Sequence, residues 1–189
     1  MPFIKNKDGI CMEKIGTLIS LNESTDPGSE MERLKKLGFE CCQLVVWDVG
    51  YYSEKHAEAV RTAIRETGVE VSTLWAGWSG PAEWNFSGGP ATLGLVPPAF
   101  RMKRAEELIS AGEFAARIGV GQVATHVGFL PEDMSHPEYW GILAILRYIT
   151  DRYRRLGIRF LFETGQETPV TLLRVIEDLG AENVGINMD

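Results

Sequence analysis

Ile158-Arg-Phe-Leu-Phe-Glu163 and Val184-Gly-Ile-Asn-Met-Asp189 are joined by a segment that opens on Thr168-Pro169 and stops at Gly180. Each run is apolar until a carboxylate closes it, the pattern of a strand buried along its length with a polar tip. Thr168 suits an N-cap, Pro169 the first helical position and Gly180 a helix stop. Strand, helix and strand within about 30 residues is the sequence form of a parallel pair joined by a right-handed crossover.

Toward the N-terminus the same unit repeats. Strands are expected at Ile15–Leu21, Cys41–Trp47, Val69–Trp75 and Val120–His126. Helices are expected between them: Ser29 to Gly38, Ser53 to Gly68 with Ser53 as cap, Ala99 to Gly119, and His136 to Gly157. The last two carry apolar stripes at helical spacing, Ala105, Leu108, Ile109, Gly112, Ala115 and Ala116, then Tyr139, Ile142, Leu143, Leu146, Ile149, Tyr153 and Leu156. Residues 76–98 are rich in Gly, Pro and Trp and show no period.

Repeated β/α units fit a doubly wound open sheet or a barrel. The turn after the first strand, Leu21-Asn-Glu-Ser-Thr-Asp-Pro-Gly28, lacks the Gly-x-Gly-x-x-Gly of dinucleotide binding. Each strand ends instead in a polar or aromatic residue: Asn22, Trp47 with Asp48, Trp75, His126, Glu163 and Asp189. In a barrel such ends converge on one mouth, where active sites sit. The expectation is a single α/β domain over residues 1–189 of the (β/α)8 TIM-barrel type, incomplete, with about six strands and five helices. An intact barrel takes about 250 residues, so roughly two β/α units are expected beyond Asp189. Open parallel edges invite pairing, with further chain or with a second copy as a homo-oligomer.

Bulk composition narrows the partners. The 189 residues are 44% hydrophobic and 24% charged, with net charge −7. No apolar run is long enough for a membrane span, and the polar start, Met1 to Asp8, lacks a signal-peptide core. Cys11, Cys41 and Cys42 give no disulfide framework and point to a reducing, cytoplasmic setting. The basic runs Arg101-Met-Lys-Arg104 and Arg152-Tyr-Arg-Arg155 read as exposed helix faces, so neither nucleic acid nor membrane is an expected partner.

Glu163 and Asp189 form the sharpest chemical pair. Carboxylates at neighbouring strand ends repel, and a divalent cation relieves that repulsion; oxygen ligands suit Mg2+ or Mn2+, with Zn2+ a weaker match. The plainer reading makes each a solvated loop residue. His126 at the mouth can bind a metal, hydrogen-bond a substrate, act as acid or base, or be satisfied by backbone. His56 and His136 fall at helix starts and read as surface residues. Trp47, Trp75, Trp78, Trp84 and Phe86 offer faces for a sugar ring on a loop that can serve as a lid; they equally suit a cluster pinning an irregular loop. No Gly-x-Ser-x-Gly elbow or phosphate loop is present.

Thr125-His-Val-Gly-Phe129, Phe162-Glu-Thr-Gly-Gln-Glu167 and Val184-Gly-Ile-Asn-Met-Asp189 resemble the xylose isomerase-like (AP endonuclease family 2) barrels, in particular the sugar phosphate isomerase/epimerase branch. The resemblance implies a metal-dependent isomerase or epimerase that moves a proton next to a carbonyl through an enediolate. It implies that Glu163 and Asp189 are two of four metal ligands, that Glu163 is also catalytic with His126 assisting, and that Trp47, Trp75, Trp78 and Gln166 meet the substrate, a sugar or sugar phosphate. The remaining ligands, a histidine and a second glutamate, would come from a seventh and an eighth strand. An endonuclease IV-like DNA repair enzyme is the alternative on this barrel. It is disfavoured by net charge and by Trp75-Ala-Gly-Trp78 where that branch carries a histidine. A catalytically inactive sugar-binding barrel is the third reading.

Overall fold

The computed structural model describes residues 14–189 and, before them, the backbone of two short antiparallel strands, β1 (Ile4–Lys5) and β2 (Cys11–Met12). The rest of the polar N-terminal run and the Cys11 side chain lie outside the described residues. Then follow β3 (Gly16–Leu21), α1 (Pro27–Lys36), β4 (Cys41–Val46), α2 (Glu54–Thr67), β5 (Glu70–Ala76), α3 (Gly89–Thr92) and α4 (Pro98–Arg117). The chain continues through β6 (Gln122–Thr125), α5 (Pro137–Arg155), β7 (Arg159–Glu163), α6 (Pro169–Leu179) and β8 (Val184–Asn187).

The six longer strands are parallel and lie in the order β3-β4-β5-β6-β7-β8. That order follows the sequence without reversal, so every right-handed crossover places its helix on the same face; a doubly wound sheet would reverse. The curl shows directly in one bond. Gln43 of β4 donates from Nε2 to Asn187 Oδ1 of β8 at 3.2 Å, although β5, β6 and β7 lie between them in the sheet. Only a sheet rolled on itself brings these residues together. The fold is an incomplete TIM barrel whose sheet ends at β3 and β8.

Strand alternation sorts the side chains. Ile19, Leu21, Leu44, Val46, Leu74, Val123, Phe160 and Phe162 point outward and are buried against the helices. Each contributes roughly 1.5–3 kcal/mol of burial. The opposite register points inward: Val45, Trp75, Ala124, Leu161 and Gly185 lie level across the sheet. At the β3 edge this interior is open, and Leu18 is 57% exposed.

Ser53 caps α2 and Thr168 caps α6, each accepting an amide hydrogen bond, with Gly68 and Gly180 closing those helices in the left-handed region. The first helix begins two residues earlier than Ser29, because the Asp26 side chain accepts from the Ser29 amide and Pro27 takes the first turn. In the stripe of α4, Ala116 is exposed, while Ala111 and Phe114 are buried in addition to the expected positions. Residues 76–98 are more ordered than their composition suggests, with α3 inside them.

The basic runs are not simply exposed faces: Arg104 and Tyr153 are fully buried. His56 also departs from expectation. Its side chain is 12% exposed, stacked on the Tyr51 ring at 4.1 Å, with Nδ1 near the Tyr51 carbonyl and Ser53 Oγ. His136 is exposed and caps α5. Cys41 and Cys42 are buried free thiols on opposite faces of β4. Among the described residues no helix is long and apolar enough to cross a membrane.

Candidate active site

Extending the sheet registers by one residue past the strand ends aligns Trp47, Gly77, His126, Glu163 and Asn187 as one inward-facing layer at the barrel mouth. All of these but Gly77 border a cleft of about 1290 Å³, which Gln43, Trp75, Trp84, Phe86, Gln166 and Asp189 also line. Gly77 is required by this layer, since a Cβ there would lie 2.5 Å from the Trp47 indole. Its absence lets Trp47 lean across the sheet onto Trp75, with ring centres 4.9 Å apart.

Glu163 lies level with Asn187 in the sheet register, with Asp189 two residues further on. Asn187 Nδ2 donates to Glu163 Oε2, and Asn187 in turn accepts from Gln43. Asp189 stands one layer higher and exposed, its amide donating to Thr164 Oγ1 at 3.0 Å. The expected opposition of two acidic tips is therefore an offset, set by the inward register at 163, 187 and 189. Burial raises the Glu163 carboxyl above its ordinary pKa, and the Asp189 charge adds to that; hydrogen bonds from Asn187 and Trp75 pull the other way.

His126 is 3% exposed. Its Nδ1 accepts the Gly128 amide at 3.1 Å, which assigns the proton to Nε2. In this tautomer the ring has no lone pair left for a cation. Nε2 meets no hydrogen-bond partner among the described residues and lies over Gly165, where a Cβ would come within 2.1 Å. Burial lowers the His126 pKa; Gln166 is near enough to oppose this, yet its Oε1 also completes no hydrogen bond.

The tryptophans divide into two roles. Trp47 and Trp84 are 42% and 51% exposed, so their faces are available in the cleft, and Trp75 lies a layer deeper. Trp78 does not reach the cleft: it is 3% exposed and packs with Trp75, Leu93, Ala124 and Leu161. The Trp84 ring meets His126 edge-on at 5.1 Å.

A hard divalent cation fits the oxygens of Glu163 and Asp189 by donor chemistry. Among the described residues no group of three His, Cys, Asp or Glu side chains gathers, so this stretch of chain offers two protein donors. The sequence reading passed over Gln43 and Gly165. Gln43 carried a signal, a polar residue at the same inward parity as Trp47.

The xylose isomerase-like TIM barrel family matches residues 31–189. No curated protein matches the chain. A xylose isomerase domain protein from Planctomyces limnophilus is 28% identical, with TM-score 0.83 over 92% of this chain and 61% of that one. The 3-keto-D-glucoside 4-epimerase of E. coli is 19% identical, with TM-score 0.71 over 94% of this chain and 68% of that one. A xylose isomerase-like TIM barrel protein from Mycobacterium smegmatis, solved in complex with magnesium, is 16% identical, with TM-score 0.67 over 92% and 63%. At under 25% identity the last two likenesses concern the fold alone. The chain spans about three fifths of the length of the first of these structures.

Proposed function

The chain belongs to the xylose isomerase-like TIM barrel family, and from that premise we propose that it carries active-site residues of a divalent-metal-dependent sugar or sugar-phosphate isomerase or epimerase. Its structural neighbours include sugar epimerases. The observation that carries the reading is Glu163, a carboxyl with a raised pKa at a strand tip, facing a cleft walled by tryptophan.

The exposed faces of Trp47 and Trp84 stack on the apolar face of a sugar. Glu163 takes a proton from the hydroxyl-bearing carbon next to the substrate carbonyl, leaving an enediolate, and for isomerisation returns it to the former carbonyl carbon while the hydroxyl proton passes to the former carbonyl oxygen. Epimerisation needs a second acid on the opposite face. A raised pKa suits this work, because it makes the carboxylate a stronger base toward a carbon-bound proton. Asn187 and Trp75 hold the carboxylate in place, and His126 supplies an N–H donor on the cleft floor. Glu163 and Asp189 would hold Mn2+ or Mg2+, which when bound offsets their mutual repulsion and polarises a substrate carbonyl.

The test uses the full-length protein, a panel of ketoses and their phosphates, D2O and Mn2+. Deuterium is expected at the carbon beside the carbonyl, with a loss of roughly 10²–10⁴-fold in E163Q. No incorporation across the panel would replace catalysis by sugar binding. That second reading draws on one observation, the two-donor metal set among the described residues.

A further inference from the structure

Arg104 has no part in the chemistry above, yet it is the largest fully buried side chain among the described residues, at 1% exposure. Among the described residues no carboxylate pairs with it directly. Its guanidinium is taken up by backbone: Nε donates to Ser79 O at 3.2 Å, Nη1 to Thr92 O at 2.6 Å and Gly94 O at 2.7 Å, and Nη2 to Pro81 O at 2.8 Å. The Phe100 and Trp78 rings lie 4.6 and 5.3 Å from its centre. Burial pushes its pKa down to about 10, which leaves it charged at neutral pH. One turn on, Glu107 accepts from the Ser79 amide and hydroxyl at 2.9 and 2.5 Å.

These four carbonyls belong to the two ends of one loop. Between them runs the segment carrying Trp84 and Phe86 into the cleft. The second end leads to His126. Gly94 sits at φ +62° against the Val127 backbone, where a Cβ would come within 2.1 Å, and the Leu95 amide donates to Val127 O at 2.8 Å. The next amide along, that of Gly128, donates to His126 Nδ1. Contacts starting at one guanidinium therefore end on two cleft-lining groups, the Trp84 indole and the His126 ring, which meet each other.

Resting on the reading of this cleft as the sugar site, we propose that Arg104 is a positioning residue: through four loop carbonyls it sets the tryptophan wall and the Val127–Gly128 backbone that keeps His126 as an Nε2–H donor. The residues 79–94 are then a fixed wall, and the sugar meets a surface already formed rather than a closing lid. Lysine cannot substitute, because a compact ammonium has three donors from one point and no planar fork to span both ends of the loop.

The test is NMR of the full chain with 15N-labelled histidine, comparing wild type, R104K and R147K. Arg147 binds the Asp178 and Leu179 carbonyls away from the cleft and serves as control. Wild type and R147K are expected to show His126 as a single Nε2–H tautomer with a Trp84 contact. R104K, still unfolding cooperatively, is expected to lose the contact and to show mixed tautomers. A folded R104K that keeps both would overturn the proposal. If R104K does not fold, wild type decides it: separate, slowly exchanging Nη protons on Arg104 support the four fixed bonds, and a freely rotating guanidinium refutes them. These readouts need no turnover. A negative deuterium assay with a positive tautomer result removes the sugar chemistry alone, and the reverse removes only the role of Arg104.

Discussion

Arg104 and Glu163 are both charged groups held partly or wholly out of water around one cleft, and the fold accommodates them in opposite ways. Arg104 gives four of its five N–H groups to loop carbonyls, with a carboxylate one turn away. Glu163 receives Asn187 and Trp75 but also faces the Asp189 charge, and its pKa rises. The loop wall is a largely satisfied network, whereas the β7–β8 wall keeps an unrelieved repulsion. A network with most of its polar groups matched gives rigidity. A carboxylate left uncomfortable gives reactivity and an appetite for a cation. The difference separates the part of the cleft that holds shape from the part that does chemistry.

The largest effect should come from breaking the satisfied wall. Arg104→Ala strips four carbonyls of their partners in a buried place and opens a void, and is expected to cost on the order of 3 kcal/mol or more. Urea unfolding followed by tryptophan fluorescence measures it. A loss below about 1 kcal/mol would mean that water enters and takes over the four acceptors, and the contrast between the walls would shrink accordingly.

Gly165→Ala probes the seam between the walls. The new Cβ would lie 2.1 Å from His126 Nε2 and 2.9 Å from Cδ2, so either the ring or the 164–167 turn must move. Overpacking of this kind costs about 1–3 kcal/mol. Because the Gly128 amide and Trp84 hold the ring, the turn is expected to yield, leaving the His126 tautomer unchanged while thermal stability falls. A changed tautomer would show that the ring is the softer partner.

Much of this architecture was legible in the sequence because it rests on local rules. Apolar runs at strand length, Ser53 and Thr168 as caps, and Gly68 and Gly180 as stops fixed the β/α units to within a residue or two. The polar tips named the mouth, since any barrel strand delivers its C-terminal residue there. The failures came where a residue answers to a partner distant in sequence. Arg101-Met-Lys-Arg104 looks like a solvated run, and the acceptors that bury Arg104 are carbonyls, which every sequence contains and none advertises. A hint existed in its spacing, as Arg104, Leu108 and Ala111 share a helical face. Trp78 shows the same limit: its type suited a sugar face, but only packing reveals that it supports Trp75 from behind. The pairing of Glu163 with Asn187 in place of Asp189 depends on register, which no local pattern specifies.

The smallest expected effect tests the strained wall, in metal-free buffer. The folded pKa of Glu163 is raised above the ordinary 4.5, so the folded state holds its proton more tightly than the unfolded chain does. Any stability gained that way is present below about pH 4.5 and is lost as pH rises through the folded value. Glu163→Gln has no such titration. The two proteins should be nearly equally stable at pH 4, and by pH 7 the variant should lead by a small margin that solvent screening limits at this half-exposed site, since a neutral amide at 163 meets neither desolvation of charge nor the repulsion of Asp189. Paired urea titrations across that range read the difference directly. If wild type leads at pH 7 instead, the bonds from Asn187 and Trp75 outweigh burial and repulsion, and the β7–β8 wall is as well satisfied as the one Arg104 holds.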